Sequence, residues 1–228
     1  MKKITKKGSQ VSMILSFIIF VIAIIFIYVF ASSTISRGGT EKELLKTIEG
    51  NVLENLYSSV WVLRGYDVAN SGGCIQMPLP EVISGGDTIA VSDSGGIQSS
   101  VSGNSVLVDG GKGFMKIYYS NLIKNNNVFT GSGCNSISSE SEKKEKLIPI
   151  KKVLDLMSNF SSNYESTKNL LDVPSSMEFN LYFLYSNGTA VGNDLVKSDV
   201  EIYSEDLKFN YLSENASSEI GTLRVKIW

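Results

Sequence analysis

The most continuous apolar segment of the chain runs from Val11 to Ala31, and no charged residue occurs between Lys7 and Arg37. At a helical rise of about 1.5 Å per residue, roughly twenty such residues cross the hydrocarbon core of a bilayer. The pattern therefore predicts a transmembrane helix over residues 11–31. A buried core helix is the first alternative, although core helices are rarely apolar on every face over this length.

A cleavable secretory signal is the second alternative for this segment. Small residues follow it at Ala31, Ser32 and Ser33, as a cleavage site would require. The apolar region is, however, longer than the roughly 7 to 15 residues typical of such signals. The sequence therefore favours a retained membrane helix.

The next pattern is typical of an amphipathic helix outside the membrane. Leucine, isoleucine or valine recurs at every fourth position from Leu44 to Leu56, with Leu45 and Leu53 beside this row. Thr40 with Glu43 forms a capping-box pattern, which predicts that the helix begins near Glu41. We expect residues 32–57 to form a joint, flexible at the two glycines 38 and 39, followed by this continuation helix.

Short β-rich runs separated by Gly, Ser and Asn clusters follow from residue 58 to residue 130. The predicted strands are Ser59–Leu63, Thr88–Val91, Val106–Val108 and Phe114–Tyr119. The glycine pairs between them do not have the spacing of a phosphate-binding loop, so we interpret them as turns. This part of the chain is expected to form antiparallel strands and hairpins.

A second helix and more strands are predicted in the last third. The polar run from Ser138 to Lys146 is interpreted as a solvated loop. Apolar residues at helical spacing then predict a helix over Ile150–Leu171, which ends before Pro174. Alternating apolar residues and the Ser186-Asn187-Gly188 turn indicate strands and a hairpin. The remaining predicted strands are Phe179–Phe183, Val200–Tyr203, Lys208–Tyr211 and Thr222–Ile227.

These elements together predict an α+β protein. Its long N-terminal transmembrane helix precedes a mainly antiparallel β-domain over residues 58–228, which includes a helix near 150–171. A domain of this size is large enough for one hydrophobic core.

Charge gives the orientation of the predicted membrane helix. Four lysines, at positions 2, 3, 6 and 7, precede it, and all 23 acidic residues follow residue 40. Basic residues flank a membrane helix on the cytoplasmic side. We therefore expect residues 1–10 to be a cytoplasmic basic leader and the C-terminal domain to be extracellular, on a single-pass protein of the cell membrane.

The composition excludes the commonest catalytic and nucleic-acid-binding sites. The chain has no histidine, so it lacks the usual general base and the commonest zinc ligand. The Asp93-Ser94-Gly95-Gly96 segment therefore cannot form a Ser-His-Asp triad, and no particular lysine is indicated as a partner of Ser94. The acidic outer domain has no basic stripe for nucleic acid. We predict a protein that is not an enzyme and has no catalytic residue, cofactor or nucleic-acid partner.

A metal site is also not predicted. Three aspartates, at positions 87, 93 and 109, lie near glycines, but their spacing is not that of a calcium-binding EF-hand loop. Cys74 and Cys134 are the two cysteines, and without histidine they do not complete a tetrahedral zinc site.

The two cysteines have a simpler expected use. Because both lie in the predicted extracellular domain, we expect a disulfide between them; two free thiols are the alternative. Three Asn-X-Ser/Thr tripeptides make Asn159, Asn187 and Asn215 candidate glycosylation sites on the same side of the membrane. Asn187 is also explained as a turn residue, and such tripeptides arise by chance in a chain rich in Ser and Asn.

The segment Lys6-Lys7-Gly8-Ser9-Gln10-Val11-Ser12, followed directly by an apolar helix, resembles the class III signal of archaeal type IV pilin-like proteins. The resemblance covers about residues 6–31. It implies that Lys6 and Lys7 are recognised by a prepilin peptidase, which cuts after Gly8. Membrane lipid, this peptidase and other pilin-like subunits are the implied partners. It also implies a pilin-like plan, in which the long helix packs its outer half on a sheet.

Two departures from the family pattern affect the expected role. Ser9 separates Gly8 from Gln10, where the family usually places glutamine directly after glycine. Met13 or Ile14 occupies the position of a glutamate that pairs with a neighbouring subunit in major pilins. A helix without that carboxylate should enter a filament less readily, because a buried ammonium group would lack its partner.

Three functional hypotheses follow. The first is a pilin-like structural subunit of a cell-surface filament or related assembly, in a minor or initiating position. The second is a solitary membrane-anchored extracellular binding domain with no filament role. The third, a membrane-tethered hydrolase that uses Ser94 and a lysine, has no specific residue pair to support it.

Overall fold

The computed structural model describes residues 7–67, 73–110, 113–194 and 200–228, except for the side chains of residues 7–12 and 30–40. The fold is α+β, and its sheets are mostly antiparallel, as predicted. The elements in chain order are α1 (Lys7–Leu56), β1 (Ser58–Asp67), β2 (Cys74–Pro78), β3 (Asp87–Ser92), β4 (Gly95–Ile97), β5 (Ser99–Ser102), β6 (Ser105–Asp109), β7 (Gly113–Ser120), β8 (Asn135–Ser136), β9 (Ser141–Leu147), α2 (Ile150–Ser162), α3 (Tyr164–Leu170), β10 (Phe179–Leu184), β11 (Ala190–Val191), β12 (Tyr203–Leu212) and β13 (Ser218–Ile227).

Helix α1 has 50 residues and a length of about 75 Å at the usual helical rise. The predicted apolar face of its C-terminal part is confirmed, since Leu45, Ile48, Val52 and Leu56 are buried. This face packs on β12 and β13. Burial of one helix face against a sheet is the usual source of stability for an amphipathic helix.

Two sheets form a sandwich between α1 and α2 in the sequence. One sheet has the order β4-β3-β7-β1-β9, and the other has the order β5-β6-β2-β8. Alternate residues of β1 and β7, such as Leu63 and Ile117, point into the space between the sheets and meet Ile75, Met77 and Val108. The strict alternation follows from the two-residue period of a β-strand.

The C-terminal unit combines the three helices with the sheet β11-β10-β13-β12. Its core contains the predicted alternating residues of β10 and β13, among them Phe183, Leu223 and Val225, all fully buried. The predicted hairpin is confirmed: Tyr185 and Thr189 are hydrogen-bonded across the turn. Gly188 there has a φ of +83°, a conformation that glycine adopts without steric cost.

The chain enters and leaves the sandwich at neighbouring positions. Ser58 at its start pairs with Leu147 at its end, so both connections to the helix–sheet unit lie side by side. A third apolar cluster, which includes Val62, Tyr118 and Leu212, joins the outer face of the sandwich to β12. The sandwich is therefore an insertion that packs on the helix–sheet unit through its own small core.

Two predicted boundaries of α1 are wrong. We expected a joint over residues 32–40 and a helix start near Glu41 with Thr40 as its cap, but α1 is continuous from Lys7 to Leu56. Serine, threonine and even glycine cost at most about 1 kcal/mol each in a helix. Propagation from strong helical segments on both sides outweighs these costs, because each added residue completes another hydrogen bond.

Three further predictions need correction. The polar run Ser138–Lys146, expected as a loop, contributes most of β9, an edge strand paired with β1; charged residues are common on edge strands because they discourage aggregation. The single helix over Ile150–Leu171 is divided into α2 and α3 at Asn163, whose φ and ψ are −137° and 59°. The strand expected at Val200–Tyr203 is wrong except for Tyr203, and the strand expected at Lys208–Tyr211 is longer, because β13 pairs with β12 from Tyr203 to Leu212.

Candidate functional site

The N-terminal part of α1 exposes its side chains on every face. All residues from 13 to 29 are exposed, and the large apolar ones among them range from 37% exposed at Val21 to 77% at Met13. Within the described residues, no helix contains a segment both long and apolar enough to cross a membrane. The predicted span ends at Val11 and Ala31, whose side chains are not among those that the structure describes.

Two of the three predicted processing residues lie at the start of this helix. Lys6 is outside the described residues, whereas Lys7 and Gly8 belong to the first turn of α1, with side chains that are not described. Their proposed recognition by a peptidase stays a prediction. Met13 and Ile14, the two alternatives for the position where the resemblance places a pilin glutamate, are 77% and 62% exposed.

The predicted disulfide is confirmed. Cys74 at the start of β2 is bonded to Cys134, with their Cα atoms 4.3 Å apart. Next to it, Ile75 pairs in parallel with Asn135 of the two-residue strand β8. The bond therefore attaches the long connection after β7 to the second sheet of the sandwich.

The three candidate glycosylation residues are all exposed. Asn159 lies in α2, and Asn215 lies in the turn between β12 and β13. The side-chain oxygen of Asn187 accepts hydrogen bonds from the backbone N–H of Thr189 at 2.9 Å and from its hydroxyl at 2.7 Å. This Asx-turn explains Asn187 locally, and the use of all three sites stays a prediction.

Among the described residues, no lysine is hydrogen-bonded to Ser94, whose hydroxyl lies 2.8 Å from that of Ser92. The carboxylate of Asp87 accepts hydrogen bonds from the N–H groups of Thr88 and Asn125. In the described parts of the chain, no three acidic or cysteine side chains are close enough to hold a metal ion together. The described geometry thus offers no support for the Ser-Lys or calcium alternatives.

A polar cluster that the sequence did not indicate anchors α3 to the start of β10. The Tyr164 hydroxyl donates to the Glu178 carboxylate and accepts a hydrogen bond from the Phe179 N–H at 3.0 Å. Lys168, only 3% exposed, has its Nζ 3.5 Å from the same carboxylate. Burial, followed by the hydrogen bond to Glu178, raises the pKa of Tyr164 to about 12.

This raised pKa predicts a loss of stability at high pH. An unfolded tyrosine releases its proton near pH 10, so the folding contribution of Tyr164 is complete below that pH and is lost as the pH rises towards 12. We expect Tyr164→Phe to be less stable than the native chain by about 1 kcal/mol at pH 8, through the lost hydrogen bonds. The difference should narrow between pH 10 and pH 12.

Urea unfolding midpoints at pH 8, 10 and 11 test this expectation. Tyr66→Phe, at a tyrosine that is 50% exposed, is the matched control and should follow the native chain at each pH. If the unfolding midpoints of Tyr164→Phe and the native chain differ by the same amount at all three pH values, the raised pKa of Tyr164 does not contribute to stability.

A second feature is a groove of about 420 Å³ between the sandwich, β12 and the end of α1. It is lined by basic, aromatic, aliphatic and uncharged polar side chains, with no carboxylate among them. Lys116, Lys146 and Lys208 come from three different strands. Because they are far apart in the sequence, no local pattern could have indicated that they meet. Within the described residues, none of the three forms an ion pair with a carboxylate.

Aromatic rings form part of this groove. Tyr118 and Tyr211 are 6% and 2% exposed, whereas Tyr57 at the end of α1 is 46% exposed. The Nζ of Lys116 lies 4.7 Å from the centre of the Tyr118 ring, a cation–π distance. The groove is thus basic, and the buried rings of Tyr118 and Tyr211 form part of its base.

The N-terminal part of α1, the disulfide and the groove are the features from which we infer a function. Comparison of the chain with protein-family models, with curated proteins and with solved structures found no match.

Proposed function

We propose that the chain is a non-enzymatic, pilin-like structural subunit, inserted in the cell membrane by the N-terminal part of α1 and contributing a minor or initiating position to a surface assembly. The observation that carries the proposal is the division of α1 into two unlike parts. Residues 13–29 expose apolar side chains on every face, whereas the part from Leu45 to Leu56 buries one face on an antiparallel sheet.

Exposure of this much apolar surface is unfavourable in water. Each exposed leucine-sized or phenylalanine-sized side chain would gain about 1.5–3 kcal/mol by transfer to an apolar environment. Lipid, or the equivalent helices of neighbouring subunits, would supply that environment. The four lysines before the segment and the absence of charge within it support an orientation with the C-terminal domain outside.

The second candidate is a solitary anchored domain that binds a partner outside the cell. Met13 and Ile14 favour it, because neither side chain can supply the carboxylate that pairs with a neighbouring subunit in major pilins. The inserted sandwich also favours it, since it adds a second β-structure that the helix and its sheet do not need for their own core.

The N-terminal peptide of the protein from native membranes distinguishes the two candidates. We expect mass spectrometry to find a start at Ser9 or Gln10. Replacing Lys6 and Lys7 by glutamine should reduce this processing, whereas replacing Lys2 and Lys3 should not, although both variants lose the same charge. An unprocessed start at Met1 or Lys2 would reject the pilin-like route and leave the anchored domain.

A further inference from the structure

Strand β12 has an open side. It is the last strand in its sheet, with β13 as its neighbour there. The N–H of Leu212 donates to the carbonyl oxygen of Ile148 at 2.8 Å, so the backbone of Leu212 faces away from β13. Backbone directions alternate along an antiparallel strand, and Asn210 and Lys208 therefore face the same open side.

The groove follows this open side. Residues 208–212 form one of its walls, and residues 146–148 at the end of β9 form the other. The Leu212–Ile148 hydrogen bond joins the two walls. Among the described residues, no backbone group is hydrogen-bonded to Asn210 or Lys208 on this side.

The charged side chains that line the groove are all basic. Lys116, Lys146 and Lys208 line it, and the exposed Glu54 lies in the adjoining hollow. Lys208 also lies close enough to Asp206 to contribute to the lowered pKa of that carboxyl, whose main cause is its hydrogen bond with Arg224. A ligand in the groove would therefore meet ammonium groups from three strands.

We propose that this groove binds an extended acidic peptide segment of a partner protein, which adds as a strand to the open side of β12. The N–H and C=O groups of Asn210 and Lys208 would pair with the backbone of the segment, and the three lysines would contact its carboxylates. Such strand addition combines main-chain hydrogen bonds with side-chain selectivity. The proposal does not depend on the membrane segment or on filament formation.

An acidic saccharide is the other ligand that lysines and tyrosines could suggest. Saccharides bind by stacking on exposed aromatic faces, but Tyr118 and Tyr211 are almost completely buried, and Tyr57 is the one groove tyrosine with an exposed ring. A saccharide also lacks the regularly spaced backbone N–H and C=O groups that match an open strand edge. A peptide strand uses both the charge and the open strand edge.

The charge requirement is tested by fluorescence anisotropy with the full chain in detergent micelles. The probe is a short labelled peptide in which glutamate and valine alternate. We expect it to bind, whereas the same peptide with lysine in place of glutamate should not. Lys116→Gln combined with Lys208→Gln should weaken binding about tenfold. Lys42→Gln combined with Lys46→Gln, on the exposed side of α1, removes equal charge and should have no effect.

The strand requirement needs a different substitution. Asn210→Pro removes an N–H that faces the groove and leaves the ladder with β13 intact, because proline is tolerated at such edge positions. We expect it to weaken peptide binding about tenfold. Ser204→Pro, also outward-facing on β12 but outside the groove, is the matched control and should bind normally.

Several results would overturn the proposal. One is the absence of peptide binding, as expected if Lys208 only protects an edge strand from aggregation. Another is binding that Asn210→Pro does not affect. Binding of oligogalacturonate that depends on the lysines but not on Asn210 would indicate an acidic saccharide instead. If Asn210→Pro does not fold, a peptide probe with N-methylated backbone amides tests the same hydrogen bonds from the other side.

Discussion

Replacing Cys74 and Cys134 by serine is expected to lower the free energy of unfolding by about 4 kcal/mol, and the melting temperature by about 10 °C. The bond joins positions 60 residues apart, so its removal gives the unfolded chain much more conformational freedom. In the folded state, the two-residue strand β8 should separate from β2 first, because few other contacts hold it there.

Guanidinium unfolding with and without reductant measures this effect. The native chain should lose stability when it is reduced, whereas the double serine variant should give the same midpoint in both conditions. Hydrogen exchange at Asn135 and Ser136 should become faster in the variant. Equal unfolding midpoints for the oxidised native chain and the variant would show that the bond does not stabilise the sandwich.

The second large effect is expected at Phe183 in the helix–sheet core. This side chain is fully buried, and its ring centre lies 4.9 Å from that of Tyr185 and 6.0 Å from that of Phe209. Phe183→Ala should lower the free energy of unfolding by about 3–5 kcal/mol, through lost burial and the cavity left behind. Phe114→Ala, at a ring that is 36% exposed, is the control and should cost much less.

Gly221 gives this prediction a sharper test. A Cβ added there would lie 2.5 Å from the Phe183 ring, so Gly221→Ala alone should destabilise the protein. In the Phe183→Ala background that ring is absent, and the added methyl group should cost much less, because its remaining close contact is with the Tyr211 ring at 3.1 Å. A double-mutant cycle from urea unfolding measures this coupling. Strictly additive effects of the two substitutions would mean that the ring and the glycine do not share one space.

The pilin-like role and the peptide-binding role are proposed for different parts of the molecule. The pilin-like role depends on α1, whereas the peptide-binding role depends on the junction between the sandwich and β12. Variants of the groove lysines should therefore leave N-terminal processing unchanged, and variants of Lys6 and Lys7 should leave peptide binding unchanged. The two roles can thus be tested separately in the same chain.

Local sequence patterns determined most of the elements. The four-residue spacing from Leu44 to Leu56 predicted the buried face of α1, because helical periodicity follows from the sequence alone. The alternation of Leu223, Val225 and Ile227 predicted β13 for the corresponding reason. Two cysteines in a domain predicted to be extracellular were enough to predict their bond, since no competing pairing existed.

Tertiary contacts decided what these patterns could not. The charged run at 141–147 forms a strand because β1 offers it a hydrogen-bonding partner, and β12 is continuous because β13 pairs with it throughout. The groove exists only where β7, β9, β12 and the end of α1 meet. The sequence by itself therefore determined most of the helical and extended segments and the apolar faces that they bury. Only the folded arrangement placed Lys116, Lys146 and Lys208 around one open strand edge, because residues distant in sequence share no local signal.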